Sequence, residues 1–292
     1  MITPTRAQTR VLAAVQNSSR ALADLLTEAQ GIDGAPSPQW FGAYQRHALG
    51  RENLLTAATA GAVPAEWLDQ ARARGDRGIG WRKELYLVRP GPIDWDRVLG
   101  GLGQDVARIQ EWAALDTAYR QLHAHTPTAV SASLRTNTVA LYMRTAGVAN
   151  LLGLTADQAT ELWGELDDWA AAGAATLEGV AAEQIRHRWH TAADTDTSGW
   201  TAQATALAAA GVDTETSPAL PAPEALRTAP TSELCAALDA ALPDSDQQSL
   251  LHGDNGSGLE VRFSDVAAPD EPWVGENVGT APVFSSAQAS PW

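Results

Sequence analysis

Cysteine and lysine are each nearly missing from this chain: Cys235 and Lys83 stand alone among 292 residues. A single cysteine excludes an internal disulfide framework and a cysteine-based zinc site, so nothing in the sequence demands an oxidising compartment. Long apolar runs are missing as well, none approaching the roughly 18 residues that a membrane span needs. The opening MITPTRAQTR leads into an amphipathic pattern, not into an apolar run followed by a small-residue cleavage site. No membrane association and a cytoplasmic location are therefore expected. Strand patterning is scarce: in the first 211 residues only Glu84 to Arg89 reads as a strand, and a strand without a partner does not make a sheet.

Enzymatic signatures are also lacking. No GxSxG, HExxH or Walker sequence occurs. His252, Gly253 and Asp254 resemble the catalytic loop of aminoglycoside-type kinases, but Leu259 stands where that loop needs an asparagine. No cofactor is implied, and the expectation is a protein that is not an enzyme.

What the chain has is helical periodicity and a lopsided charge. Residues 193–292 hold 15 acidic groups against Arg227 and Arg262, whereas the preceding residues hold 20 acidic and 18 basic groups. That last third also contains nine of the 16 prolines. Proline-rich segments of one charge sign bury too little apolar area to offset the entropy of ordering them. The expected fold is all-α: an irregular bundle of six to eight helices with an acidic, Pro-rich, largely flexible C-terminal tail. Three regions follow: an N-terminal helical region over 1–123, a second helical region over 131–211 packing with it, and an acidic linker and tail over 212–292, mostly disordered or locally folded.

Within the body, Val11, Val15, Leu22 and Leu26 mark a first helix ending near Gly31, and a second carries Trp40, Phe41, Tyr44 and Leu55. Pro64 opens a short third helix. Gly100, Gly101 and Gly103 would cost a continuous helix about 3 kcal/mol relative to alanine, which predicts a break. Val106, Ile109, Trp112, Leu115, Tyr119 and Leu122 then give the strongest helical signal of the chain. Further helices are expected from about Ser131 to Leu152, from Thr155 to about Thr191, around Trp200 to Ala210 and over Ser232 to Leu242.

Two segments have the spacing of a helix-turn-helix. In residues 148–163, Ala149 and Gly153 lie four apart, Val148, Leu152, Leu154, Ala159 and Leu162 take the buried positions, and Thr155 with Gln158 forms a capping box. Its second helix would carry Asp157, Glu161, Glu165 and Asp168 on one stripe, which phosphates repel. In residues 52–74, Ala58 takes the small position, Val63, Leu68 and Ala71 the buried ones, and Ala62 the place where glycine is usual. The chain's only basic stretch follows. Arg72, Arg74, Arg77, Arg82, Lys83 and Arg89, interleaved with Trp81 and Tyr86, suit phosphate contact and base stacking and form the candidate nucleic-acid contact.

RHALGRENLLTAATAGAVPAEWLDQARARGDRGIGWR with DVARIQEWAAL, within about residues 40–120, resembles a recurring arrangement in uncharacterised reading frames of actinobacterial plasmids and integrating elements. The resemblance implies an accessory role in mobile-element maintenance or transfer and brings no assigned residues with it.

Two metal patterns are weaker. Glu183, His187, His190 and Asp194 share a helical stripe that reads as a solvated polar face. DTDTSG sets Asp194, Asp196 and Ser198 at the first three ligand positions of a calcium loop, with Thr205 where the bidentate glutamate belongs. The favoured function is a helical interaction or accessory protein with a protein partner or self-association. The alternative is a DNA-associated regulator that contacts nucleic acid through residues 72–89.

Overall fold

A computed structural model describes residues 3–82, 86–122, 128–165, 169–221, 226 and 232–242. Lys83, Asp168 and residues 243–292, with the His252 to Asp254 tripeptide, lie outside the described residues. The fold is all-α, with ten helices among the described residues.

Helix α1 (Arg6–Gln30) starts at Thr5, whose hydroxyl accepts from Gln8 N while the Gln8 side chain accepts from Thr5 N, a full capping box. Helix α2 (Pro38–Ala60) is capped by Ser37, and α3 (Ala65–Asp76) follows Pro64. Between them Ala62 takes φ 53°, the only non-glycine residue with positive φ among those described. It occupies the position where the spacing called for glycine. Val63, Leu68 and Ala71 are buried as that spacing requires, whereas Leu26 of α1 lies exposed.

Helix α4 (Trp95–Leu122) runs unbroken through Gly100, Gly101 and Gly103, so the expected break is absent. Val98, Leu102, Val106 and Ile109, spaced at four, four and three residues, are all buried. Burying Val98 and Leu102 stabilises by about 1.5–3 kcal/mol each, enough to outweigh the glycines. Asp94 adds a cap by accepting from Arg97 N at 3.1 Å.

Helix α5 (Ala129–Leu152) ends at Gly153 in the left-handed region, and Thr155 and Gln158 form the predicted capping box of α6 (Ala156–Trp163). The helix expected from Thr155 to Thr191 is instead three: α6, α7 (Trp169–Ala175) and α8 (Ala182–Ala193). Gly164 and Gly179, at φ 85° and 70°, leave helical geometry and re-aim the chain. This division raises the helix count above six to eight. It also ends α6 before Glu165 and leaves Leu162 exposed, so the predicted acidic stripe and buried leucine do not form on that helix.

Two apolar clusters meet at α5. One gathers α1, α2 and α3 with Leu151, Leu207 and Val212. The other gathers α4, α5, α7, α8 and α10 (Ser232–Ala241). Helix α9 (Ser198–Ala209) packs against α2 and α5. Between α4 and α7 the approach is at backbone distance: a Cβ on Gly173 would fall 2.1 Å from Gln110 O. Gly75 does the same for α3 on α1, where a Cβ would fall 2.2 Å from Gln16 O.

Residues 212–221 were expected to be a linker and are packed instead. Val212, Ala219 and Leu220 are buried, as are Thr214 and Ser217. The Asp213 carboxylate accepts from Glu215 N, Thr216 N and the Thr216 hydroxyl, which hold its pKa below the ordinary carboxylate value, the hydroxyl bond contributing most. Asn150 Nδ2 donates to the Asp213 and Thr216 carbonyls. A short polar turn thus supplies the hydrogen bonds that let the apolar residues around it be buried.

Arg144 of α5 pairs with Asp105 of α4, both side chains largely buried, and its Nε donates to Gln203 Oε1 of α9. Burial pushes the Arg144 guanidinium below its ordinary value. Asp105→Ala is expected to destabilise by about 3 kcal/mol, because the cation stays buried and unpaired, and joint replacement of Asp105 and Arg144 by leucine and methionine by less. Urea denaturation of the two variants distinguishes these outcomes. Gly173→Ala should cost about 1–3 kcal/mol by forcing α7 off α4. Gly100→Ala, which meets nothing within 4 Å, should stabilise by about 0.5–1 kcal/mol in the same measurement.

Candidate functional site

The basic stretch begins on α3 and returns along it. Four α3 side chains hold the backbone of residues 86–91. Trp67 Nε1 donates to Val88 O at 2.7 Å, Gln70 Oε1 accepts from Val88 N at 3.1 Å, Arg74 donates to Tyr86 O, and Glu66 Oε1 accepts from Gly91 N at 2.9 Å. Leu87 and Val88 pack on the α1–α3 cluster. Among the described residues the strand-like segment therefore finds its partners on a helix, not on another strand. The turn before it is tied to α1, with Gln16 Nε2 donating to Ile79 O and Asn17 Oδ1 accepting from Trp81 N.

This arrangement divides the candidate nucleic-acid residues. Arg74 is spent on the strap, Arg72 pairs with Asp76 at 4.0 Å, and Arg77 Nε donates to Ala73 O. Trp81 is half-buried against the core. Arg82, Tyr86 and Arg89 are exposed, Tyr86 to 70%. On the turn-and-helix pair α2–α3, the residues that a reading helix would present are Ala65, Glu66, Asp69 and Ala73, all exposed, two of them carboxylates.

The calcium-like segment closes into a helix-capping turn. Asp196 Oδ1 accepts from Ser198 N at 2.9 Å, which holds its pKa below the ordinary carboxylate value. Helix α9 begins at Ser198, so Thr205 lies two turns into it and does not face back to the loop. Asn137 of α5 locks this turn from beneath: its Nδ2 donates to Ala192 O, Ala193 O and Thr195 O, and its Oδ1 accepts from Thr197 Oγ1. Glu183 pairs with Arg186 at 3.1 Å, and Glu183, His187 and Asp194 lie in solvent with His190 half-buried. Among the described residues no group of three or more His, Cys, Asp or Glu side chains is placed to hold a metal.

A further concave surface among the described residues is not legible in the sequence. It is a groove of about 810 Å³ between α1, α2 and α9. Each helix lines it with one stripe over two turns: Arg10 to Ser18, Arg46 to Leu54 and Ala202 to Ala210. Five of the α1 positions and five of the α9 positions recur at i, i+3, i+4, i+7 and i+8, the spacing of a single helix face. Its lining is mostly alanine with Gly50, Leu49 and Leu54, interrupted by Asn17, Ser18, Asn53 and Thr205, and Leu49 stands 63% exposed. The signal was present as an alanine stripe, but alanine has too little hydropathy to separate a groove floor from a solvated face.

The chain is thus an all-α protein whose described residues carry a mostly apolar three-helix groove and a helix, α3, strapped by the segment that follows it. Comparisons with family models, with curated proteins and with solved structures find no match. No helix among the described residues is long and apolar enough to cross a membrane.

The strap gives a direct test of the basic segment's geometry. Replacing Glu66 and Gln70 together by alanine should raise amide exchange at Val88 and Gly91 at least tenfold, since about 1–1.5 kcal/mol per lost hydrogen bond separates the closed and open states. Exchange within α4 should stay unchanged.

Proposed function

We propose that this chain is a non-enzymatic helical interaction protein, acting as an accessory component that engages a protein partner or a second copy of itself. The observation that carries this reading is the three-helix groove, apolar in its floor, with Leu49 left in solvent at its edge. Support comes from the concavity with a mostly apolar lining, since a single exposed leucine is ordinary on a protein surface whereas a contiguous apolar groove is not. The accessory role in mobile-element maintenance or transfer rests on the resemblance carried by residues 40–120.

A second reading, nucleic-acid contact through residues 72–89, is favoured by the turn geometry at Ala62 and by the exposure of Arg82, Tyr86 and Arg89. The acidic groups that α3 presents speak against base reading and leave backbone contact as its form.

The two readings differ in salt dependence. Association through the groove should survive high salt and weaken on Leu49→Ser, as measured by sedimentation and by affinity capture with the full chain. Duplex binding through the strap should fall steeply with salt and weaken when Arg72, Arg77 and Arg82 are replaced. A chain that stays monomeric and captures nothing that Leu49→Ser releases would rule out the first reading.

A further inference from the structure

We infer that the groove between α1, α2 and α9 receives an amphipathic helix of a partner protein that carries carboxylates on either side of a two-turn apolar face. This inference rests on the docking reading and specifies its occupant.

The shape argument comes from the stripes. Three helices each turn a face of about 12 Å, eight rises of about 1.5 Å between the first and last of nine residues, toward one slot. Three neighbouring helices with small residues turned to a shared slot leave the place of a fourth, and the alanine and glycine of its lining permit approach at about 8–10 Å between axes. A strand would need an exposed sheet edge, and a polyproline-type peptide an aromatic-lined groove; the described residues offer no sheet, and no tryptophan, tyrosine or phenylalanine lines this slot.

The charge argument fixes the chemistry of the occupant. The groove is lined by Arg10, Arg46 and His47 and by no carboxylate, in a chain of formal net charge −15. None of the three is ion-paired among the described residues, where other arginines such as Arg51, Arg120 and Arg144 are. Helices α1 and α2 run antiparallel, since Trp40 Nε1 donates to Leu25 O and, further along α2, Arg51 bonds Ser19 of α1. Arg10 therefore marks one end of the slot and Arg46 with His47 the other. The bond from Arg10 to Gly211 O puts the C-terminal end of α9 at the Arg10 end. Unpaired cations at both ends of an apolar slot match an occupant with acidic groups at both ends of its apolar face.

The test is selection from a displayed library of helices about 16 residues long, panned on the full-length chain, a length that exceeds the two-turn slot at both ends. The expected winners carry Leu, Ile or Ala at i, i+3, i+4 and i+7, flanked by Asp or Glu on each side. As synthetic peptides they should bind the wild type, lose at least about tenfold in affinity to Ala209→Trp, which fills the slot from an exposed position, and lose about fivefold to Arg46→Gln. Winners that depend on the slot but lack the acidic ends would overturn this inference and leave the docking reading standing. Winners indifferent to Ala209→Trp would overturn both. A dimer of the chain itself, dissociated by Ala209→Trp, would replace the partner helix by a second copy.

Discussion

Two helix crossings at backbone distance determine where everything else in this molecule sits. Gly75 brings α3 onto the backbone of α1, and Gly173 brings α7 onto that of α4. Neither crossing leaves room for a methyl group, so neither can slide or tilt without losing its contact. The strap over residues 86–91 lies where it does because α3 is held flat on α1. The turn away from α6 is required because α7 must return to α4, and Gly164 makes that turn sterically allowed.

The legible parts of the fold are those fixed by local rules. Thr155 with Gln158, Gly153 after α5, and the Val63, Leu68, Ala71 spacing could be read because caps and turns depend on a few adjacent residues. Ala62 could be placed at the turn from spacing alone, although its side chain disfavours the conformation it adopts. The illegible parts turned on burial by distant residues. Gly100 to Gly103 look like a break until Val98 and Leu102 are known to be buried, and residues 212–221 look like a linker until Asn150 is found bonding their carbonyls. The strap shows the same limit: residues 84–89 read as a strand, but the described residues 86–89 form none and are bonded by side chains of a helix. The groove was invisible because three separate helix faces, alanine-bearing only on α1 and α9, have to be brought together before any of them is concave.

The molecule's charge separates its surfaces by function. Arginines of the body are mostly consumed in structure, by Asp105, Asp116, Glu111 and the carbonyls of the strap. Those that line the groove have no ion-pair partner among the described residues, although Arg10 donates to Gly211 O, and they sit in a chain whose excess charge is acidic. Unpaired cations on such a background lose little in the free state, because water solvates them, and gain when a carboxylate arrives with apolar cover. On the proposed docking reading, selectivity comes from the ends of the groove and affinity from its apolar lining.

The place of α10 has a consequence for how the chain is made. Cys235 of α10 lies against Gln121 of α4, 114 positions earlier in the chain, and Leu234 and Leu238 complete the cluster that α4 begins. A ribosome adding about ten residues per second finishes α4 roughly ten seconds before it releases the helix that covers it. During that interval α5 and α7 can already pack on α4, and only the part of the cluster that α10 completes stays open. The cluster around α1, α2 and α3 contains fewer late residues and can condense early, so the half of the protein with its helices in nearest sequence neighbourhood becomes the scaffold on which the slower half assembles.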